Sequence, residues 1–176
     1  MPVTIKSARE IERMRVAGKI LASVHEALGK ALKPGMSTLD IDRLGEELIR
    51  SHGCVPSFKN YNGYPASICV SVNDEIVHGI PNSHRIIHEG DIVSLDAGVI
   101  YEGYHSDAAR THAVGVIDPK AQKLIDVTRE SFFEGIRQAK LEIQDGMAED
   151  APLVVNGDDP LLAPEKKELS RPVIPD

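Results

Sequence analysis

The chain has 176 residues and a net charge of −7, with 41% hydrophobic and 27% charged residues, which is typical of a soluble domain with its own core. No run approaches the roughly 20 apolar residues of a membrane span, and the N terminus lacks the basic-then-apolar pattern of an export signal. The acidic balance argues against nucleic acid as the main partner. Cys54 and Cys69 belong to no CxxC motif, which favours a reducing cytoplasm.

Two amphipathic helices are predicted first. Ser7 begins one of them with capping-box spacing to Glu10, and Lys33-Pro34-Gly35 breaks it. Its apolar residues at helical intervals are Ile11, Met14, Leu21, Val24 and Leu28. A second helix begins near Ser37 or Thr38 and ends at Gly53. The residues that it is expected to bury are Leu39, Leu44 and Leu48.

The segment from residue 55 to 116 has the pattern of strands. Residues 61–64 are rich in turn formers, residues 67–72 alternate like a half-buried strand, and residues 75–80 resume an extended pattern. Residues 91–101 and 104–116 predict two further strands around a tight turn at Glu102-Gly103.

A third helix and a tail of different composition follow. Asp118-Pro119 is typical of a helix start and predicts a helix to about Ala139. The residues expected inside it are Leu124, Val127, Phe132 and Ile136. The last 36 residues carry a net charge of −6 and five of the eleven prolines; Leu153–Val155 indicates a short strand there, and the rest is expected to be loop-rich or disordered. We therefore predict an α+β domain at 1–140, with an antiparallel sheet covered by helices on one face, and a separate tail at 141–176.

Two aspartates interrupt the strands on either side of the predicted turn. A two-residue turn at Glu102-Gly103 pairs Asp96 with Ala109 and Asp107 with Gly98. Because side chains alternate along a strand, both carboxylates then lie on one face as diagonal neighbours, about 7–8 Å apart at Cα. A turn shifted by one residue pairs them directly, and a three-residue loop puts them on opposite faces.

Two ionised carboxylates on one buried face repel each other and lose hydration, at a cost on the order of several kcal/mol, unless a proton or a cation intervenes. A pair of divalent metal ions favours such a geometry. In the alternative interpretation one or both aspartates face solvent or pair with Arg110. His105 shares the face of Asp107, whereas His112 does not. His78 lies between a strand and a turn fixed by Pro81, where a lone histidine indicates little by itself.

Three segments carry a family resemblance: SVNDEIVHGIP (71–81), GDIVSLDAGVIYEGYHSDAARTHAVG (90–115) and the N-terminal helix around IERMRVAGKI. Together they resemble type I methionine aminopeptidases, which are metallopeptidases with the pita-bread fold. The resemblance runs from about residue 3 to 140, and implies that this region forms the first half of that fold.

The resemblance implies metal-dependent removal of N-terminal methionine from nascent polypeptides in the cytoplasm, with the ribosome as a candidate partner. Asp96 and Asp107 match the first two ligands of two divalent ions (Co, Mn, Fe or Zn), with Asp107 bridging both. His78 matches a histidine that contacts the substrate and helps to stabilise the transition state. The residues that match the wall of the methionine side-chain pocket are Phe58, Tyr61, Tyr64 and Cys69. Plain core packing is the alternative interpretation for these four.

The remaining family ligands, a histidine and two glutamates, and a second catalytic histidine come from the family's C-terminal half. No histidine follows His112, and the glutamates of the tail lie outside the family's motif. The tail resembles instead a fragment of the central ATP-binding domain of Mur ligases, mainly through Asn156–Pro160, and contains no phosphate-binding loop. We interpret it as a fusion or a mis-joined reading frame.

Three hypotheses follow. The first is a methionine aminopeptidase by descent, weakly active or inactive because its metal site is incomplete. The second is a non-catalytic binding domain or remnant of the pita-bread fold, and the third is a prolidase-like enzyme of that fold. A half-fold with a bare apolar sheet face is also expected to associate with itself.

Overall fold

A computed structural model describes residues 5–142, 153–155 and 173–175 of the chain. The chain forms two compact units, one up to Gln122 and one from Lys123 onward. The first unit contains two helices and a four-stranded antiparallel sheet. The division between residues 140 and 141 that the sequence suggests stays a prediction.

The first helix, α1, spans Ala8–Ala31 and begins with the predicted capping box, in which Ser7 and Glu10 bond each other's backbone amides. Its buried residues are Ala17, Leu21, Val24, His25 and Leu28. The first two positions of the predicted apolar stripe, Ile11 and Met14, are instead exposed. The reason is that the start of α1 meets a polar part of the sheet, where Tyr104 donates its hydroxyl proton to Glu10.

The second helix, α2, spans Thr38–Ser51 and is capped by Ser37. The prediction that its leucines are buried is wrong in detail, because the buried row is Ile41, Gly45 and Ile49. A Cβ atom on Gly45 would lie 3.0 Å from the Ile68 side chain, so α2 approaches the sheet through this glycine. The residues at its flanks, which are only partly buried, are Leu39, Leu44 and Leu48.

The strands of the sheet are β1 (Val55–Pro56), β2 (Ile68–Val72), β3 (Ile92–Tyr101) and β4 (Tyr104–Ala113). β3 pairs antiparallel with all three others. The strand predicted at 67–72 is confirmed, but the expectation that it is half-buried is wrong, because all five residues of β2 are buried. The prediction of extended structure at 75–80 is also not met by a strand, because this segment is irregular. Its Gly79 packs against the edge of β2 that does not pair with β3.

Alternation along β3 gives the sheet two different faces. The residues on the helix face, which are 0% exposed, are Val93, Leu95, Ala97 and Val99. α1 packs against β3 and β4 on this side. The opposite face, here called the open face, carries Ser94 and Asp96 of β3 and Asp107 of β4. The predicted one-sided helical cover of an antiparallel sheet is thus confirmed.

The third helix, α3, spans Pro119–Glu142, and Asp118 accepts the N–H of Lys120 at its start, as predicted for a cap. The prediction of an apolar interior is wrong: the exposed residues include Leu124, Val127 and Phe132, and Ile136 is partly buried. Periodicity identifies the helix and its apolar stripe, but it does not show whether a partner covers that stripe.

The predicted strand at Leu153–Val155 is confirmed as β5, and it pairs in parallel with a strand that the sequence did not indicate, β6 (Val173–Pro175). The expected loops of the tail lie outside the described residues. Within residues 5–142 and the two short strands of the tail, no helix is long and apolar enough to cross a membrane.

Candidate metal centre

The turn between β3 and β4 brings the two aspartates together as the two-residue alternative predicts. Glu102 and Gly103 have φ angles of 47° and 84°, the left-handed values of a tight type I′ turn. The resulting register pairs Asp96 with Ala109 and Gly98 with Asp107. The carboxylates are therefore diagonal neighbours on the open face, and the shifted and three-residue turns are excluded.

The electrostatics of this pair are unfavourable as long as both groups are ionised. Burial raises the pKa of Asp96, and the charge and hydrogen bonding of the neighbouring Asp107 raise it further. The Oδ1 atom of Asp96 is buried and has no hydrogen-bond partner. A buried carboxylate oxygen without a partner, beside a second carboxylate, is a site where a cation would be stabilised.

Arg110 does not neutralise the aspartates. It pairs with Leu95 in the sheet register and so points to the helix face, whereas Asp107, three residues earlier, points to the open face. Its positive charge acts on the buried imidazole of His25 instead. The Asp–Arg part of the alternative is therefore excluded by the direction of the side chains. Its other part holds for Asp107, which is exposed, whereas Asp96 is partly buried.

His78 lies close enough to the pair for its charge to lower the pKa of Asp96, although by less than burial and Asp107 raise it. Its backbone has the left-handed φ of 56°, and its side chain is exposed. An exposed imidazole beside two carboxylates can donate a hydrogen bond or move a proton at the open face.

Three of the four predicted pocket residues border the aspartates. Cys69 is the direct cross-strand partner of Asp96, and the Tyr64 hydroxyl donates to the carbonyl oxygen of Ile68, the residue before Cys69. Phe58 packs over Gly98, the cross-strand partner of Asp107. A Cβ atom added to Gly98 would lie 2.9 Å from the Phe58 ring. Tyr61 lies in a single 3₁₀ turn and is 70% exposed, so it is the least enclosed of the four.

Burial dominates the chemistry of this wall. It raises the pKa of the Cys69 thiol, and the nearby Asp96 and Asp107 raise it further. The pKa of the Tyr64 hydroxyl is raised for the same reason, first by burial and then by Cys69. Both groups are therefore neutral at physiological pH, and a neutral thiol and phenol form a wall that accepts an apolar or thioether side chain.

The donor set fits a divalent cation but does not complete its shell. Carboxylate oxygens are suitable ligands for such ions, and Asp96 and Asp107 supply them on a rigid hairpin. Among the residues that the structure describes, no group of three or more histidine, cysteine and acidic side chains could hold a metal ion. Asp96 and Asp107 can therefore supply at most part of the ligand set of a divalent cation.

Sequence reasoning missed the residues that hold this wall in place. Asp42 is buried on α2, and its Oδ1 accepts the N–H groups of Ser67 and Ile68 at 2.8 and 2.9 Å. Ser71 accepts the N–H of Gly79 at 3.1 Å. An acid at a core-facing helix position was a usable signal for Asp42, whereas nothing in the local pattern marked Ser71.

Comparison with known proteins decides the family. The profile of metallopeptidase family M24 matches residues 12–148. The chain belongs to this family. As an M24 metallopeptidase domain, it is 55% identical to methionine aminopeptidase of Clostridium acetobutylicum over 78% of the chain and 55% of that protein. It is 49% identical to methionine aminopeptidase 1 of Bacillus subtilis, over 78% of the chain and 55% of that protein.

The crystal structure of methionine aminopeptidase from Rickettsia prowazekii matches this M24 domain with a TM-score of 0.74 and 36% identity, over 77% of the chain and 54% of that structure. The fold is accordingly the predicted first part of a pita-bread fold. The chain spans about half the length of the curated relatives that it matches. Membership of a metallopeptidase family agrees with divalent metal ions as cofactors.

Proposed function

We propose that this M24 domain takes part in metal-dependent hydrolysis that removes methionine from the N termini of nascent polypeptides. The observation that carries the proposal is the Asp96–Asp107 pair, which is diagonal on the open face, repulsive when ionised and left with a buried oxygen that has no partner. The relatives named methionine aminopeptidase support this choice of substrate.

Each residue has a role in this proposal. Asp96 and Asp107 would hold the divalent ions, and His78 would contact the substrate near the peptide bond. The residues that line the pocket for the methionine side chain are Phe58, Tyr61, Tyr64 and Cys69. When bound, the divalent ions supply Lewis-acid polarisation of the first peptide carbonyl and a water of lowered pKa.

The completeness of the site distinguishes the proposal from its alternative. The described residues contribute two carboxylates and no third ligand, and two carboxylates cannot fill the shells of two divalent ions. We therefore propose that the chain by itself releases methionine slowly. The same observation supports the second candidate, a non-catalytic binding domain of the pita-bread fold.

The decisive experiment measures methionine release from a Met-Ala-Ser peptide by the purified full chain, with Mn²⁺ or Co²⁺ added. We expect slow release that the Asp96→Asn variant abolishes, because the variant loses one of two ligand side chains. Asp74→Asn is the matched control, since Asp74 is an exposed aspartate in the turn after β2. Its rate should equal that of the unmodified chain.

Two outcomes decide between the candidates. Release by the unmodified chain that is lost in Asp96→Asn supports the enzyme. No release, together with no Mn²⁺ retained after dialysis, supports the binding domain. Equal release by the unmodified chain and by Asp96→Asn would contradict the assignment of the metal site.

Several further properties belong to the same proposal: a cytoplasmic location, association with the ribosome, and a tail at 141–176 derived from a Mur ligase-like sequence. Self-association of the half-fold is supported by two exposed apolar residues in the irregular segment after β2, Ile76 and Val77, which are 89% and 67% exposed. Sedimentation should then show dimers of the chain, and a monomer at all concentrations would contradict this point.

A further inference from the structure

The backbone at His78 has an unusual conformation. Its φ of 56° lies in the left-handed region, which non-glycine residues occupy rarely and at a cost of about 1–3 kcal/mol. The side chain is exposed and so contributes little packing to offset that cost. The conformation must therefore be imposed by hydrogen bonds and contacts of its neighbours.

The next residue, Gly79, makes those contacts. Its N–H donates to Ser71 Oγ at 3.1 Å, and its carbonyl oxygen accepts the N–H of Val70 at 3.0 Å and the hydroxyl of Tyr64 at 3.2 Å. A Cβ atom at this position would lie 2.2 Å from the carbonyl oxygen of Val70. Only glycine fits so close to β2, and both of its backbone polar groups are bonded.

The partners of Gly79 are themselves parts of the site. Ser71 is 5% exposed and lies on β2, two residues beyond Cys69, which pairs with Asp96. The single hydroxyl proton of Tyr64 is shared between the carbonyl oxygens of Gly79 and Ile68, at 3.2 and 3.1 Å. The segment that carries His78 is thus tied to the same strand that carries the wall of the pocket.

We infer that Ser71 and Tyr64 are positioning residues that fix His78 beside the aspartates by holding Gly79 against β2. This inference rests on the proposed role of His78 in contacting the substrate. Tyr64 then has two tasks, because its ring borders the pocket while its hydroxyl holds the histidine segment. A histidine held in one position before the substrate arrives has less freedom to lose when the substrate binds.

The first test measures position and does not depend on turnover. In the isotopically labelled full chain, the ¹³Cα and ¹³Cβ shifts of His78 and its HN–Hα coupling report φ. We expect Ser71→Ala and Tyr64→Phe to move these values away from the left-handed signature and to speed amide exchange at Gly79 about ten-fold, because an open segment exchanges faster. Gly79→Ala is expected to be more severe and to unfold part of the sheet.

Two matched controls remove a hydroxyl of the same type elsewhere. Ser94→Ala deletes a strand serine bonded to Thr111 Oγ1 at 2.8 Å, and Tyr104→Phe deletes a hydroxyl bonded to Glu10. Neither should change the signals of His78 or Gly79. Unchanged His78 signals in both Ser71→Ala and Tyr64→Phe would overturn the inference.

The second test measures methionine release with Mn²⁺. If His78 acts near the transition state, Ser71→Ala should lower kcat about ten-fold with KM changed less than about two-fold, and Ser94→Ala should leave both unchanged. Shifted His78 signals with unaltered kcat would retain the positioning role and contradict the proposed role of His78. Absence of release from every form of the chain would contradict the proposed function, and the spectra alone would then decide the inference.

Discussion

The two faces of the central sheet differ in what they contribute to stability, although alternate residues of one strand, β3, form both of them. On the helix face, Leu95 and Ala97 are 0% exposed and pack in the core. Between them, Asp96 points to the open face, where burial and Asp107 raise its pKa. One step along the strand therefore separates a stabilising side chain from a destabilising one, and the core holds in place a carboxylate pair that would otherwise move apart.

The largest change in stability is expected from a substitution on the helix face. Leu95→Ala should lower the free energy of unfolding by about 2–5 kcal/mol, because it removes a fully buried side chain and leaves a cavity. Ser94→Ala, one residue away on the open face, should change it by only about 1 kcal/mol, because it removes one hydrogen bond to Thr111 and leaves no large cavity. Denaturant unfolding of both variants measures the contrast, and equal losses would mean that the two faces are equally packed.

A smaller change in stability is expected from the open face, where a bound cation should offset the repulsion between Asp96 and Asp107. Mn²⁺ at a hundred times its dissociation constant should stabilise the chain by about 2.7 kcal/mol, if it binds only the folded state. Without metal, Asp96→Asn should unfold at a higher temperature than the unmodified chain, because it removes one of two neighbouring charges.

Thermal unfolding with EDTA and then with Mn²⁺ measures both effects. Asp96→Asn should lose most of the response to Mn²⁺, and Asp74→Asn should keep it. A lower unfolding temperature for Asp96→Asn in EDTA would show that the ionised carboxylate is stabilising without metal, contrary to the proposed repulsion.

The sequence could predict the features of the sheet and helices that depend on neighbouring residues. The pairing of Asp96 with Ala109 follows from two local features, strand alternation and the turn at Glu102-Gly103, and the structure has that register. The capping box of α1 is local in the same sense. Features of this kind are encoded within a few residues of one another.

Other features depend on residues distant in sequence and were missed. The buried row of α2 is set by the fit of Gly45 against Ile68, which the periodicity of α2 alone does not show. In the site, the position of His78 depends on Gly79 packing against β2 eight residues earlier in the chain. The sequence identified the chemical groups, whereas their support arises from tertiary contacts.

The smallest expected effect is a pH dependence of the free energy of unfolding, which arises from His25 on the helix side of the sheet. His25 is 1% exposed, and its Nε2–H donates to the carbonyl oxygen of Ala108 at 2.8 Å. Burial lowers the pKa of His25 below its usual value of 6.5, and the nearby Arg110 and His112 lower it further. The unfolded chain then binds a proton more readily than the folded one as the pH falls below about 6.5.

The free energy of unfolding should therefore be level above about pH 6.5 with respect to His25 and should decrease below it. His25→Gln keeps a donor for Ala108 and should flatten part of this decrease, while burial gives His112 a lowered pKa of its own and leaves a remaining slope. His84→Gln, which changes an exposed histidine, should leave the slope intact. Urea unfolding between pH 8 and 5 measures all three proteins. An unaltered slope in His25→Gln would show that the protons responsible for the decrease bind at groups other than His25.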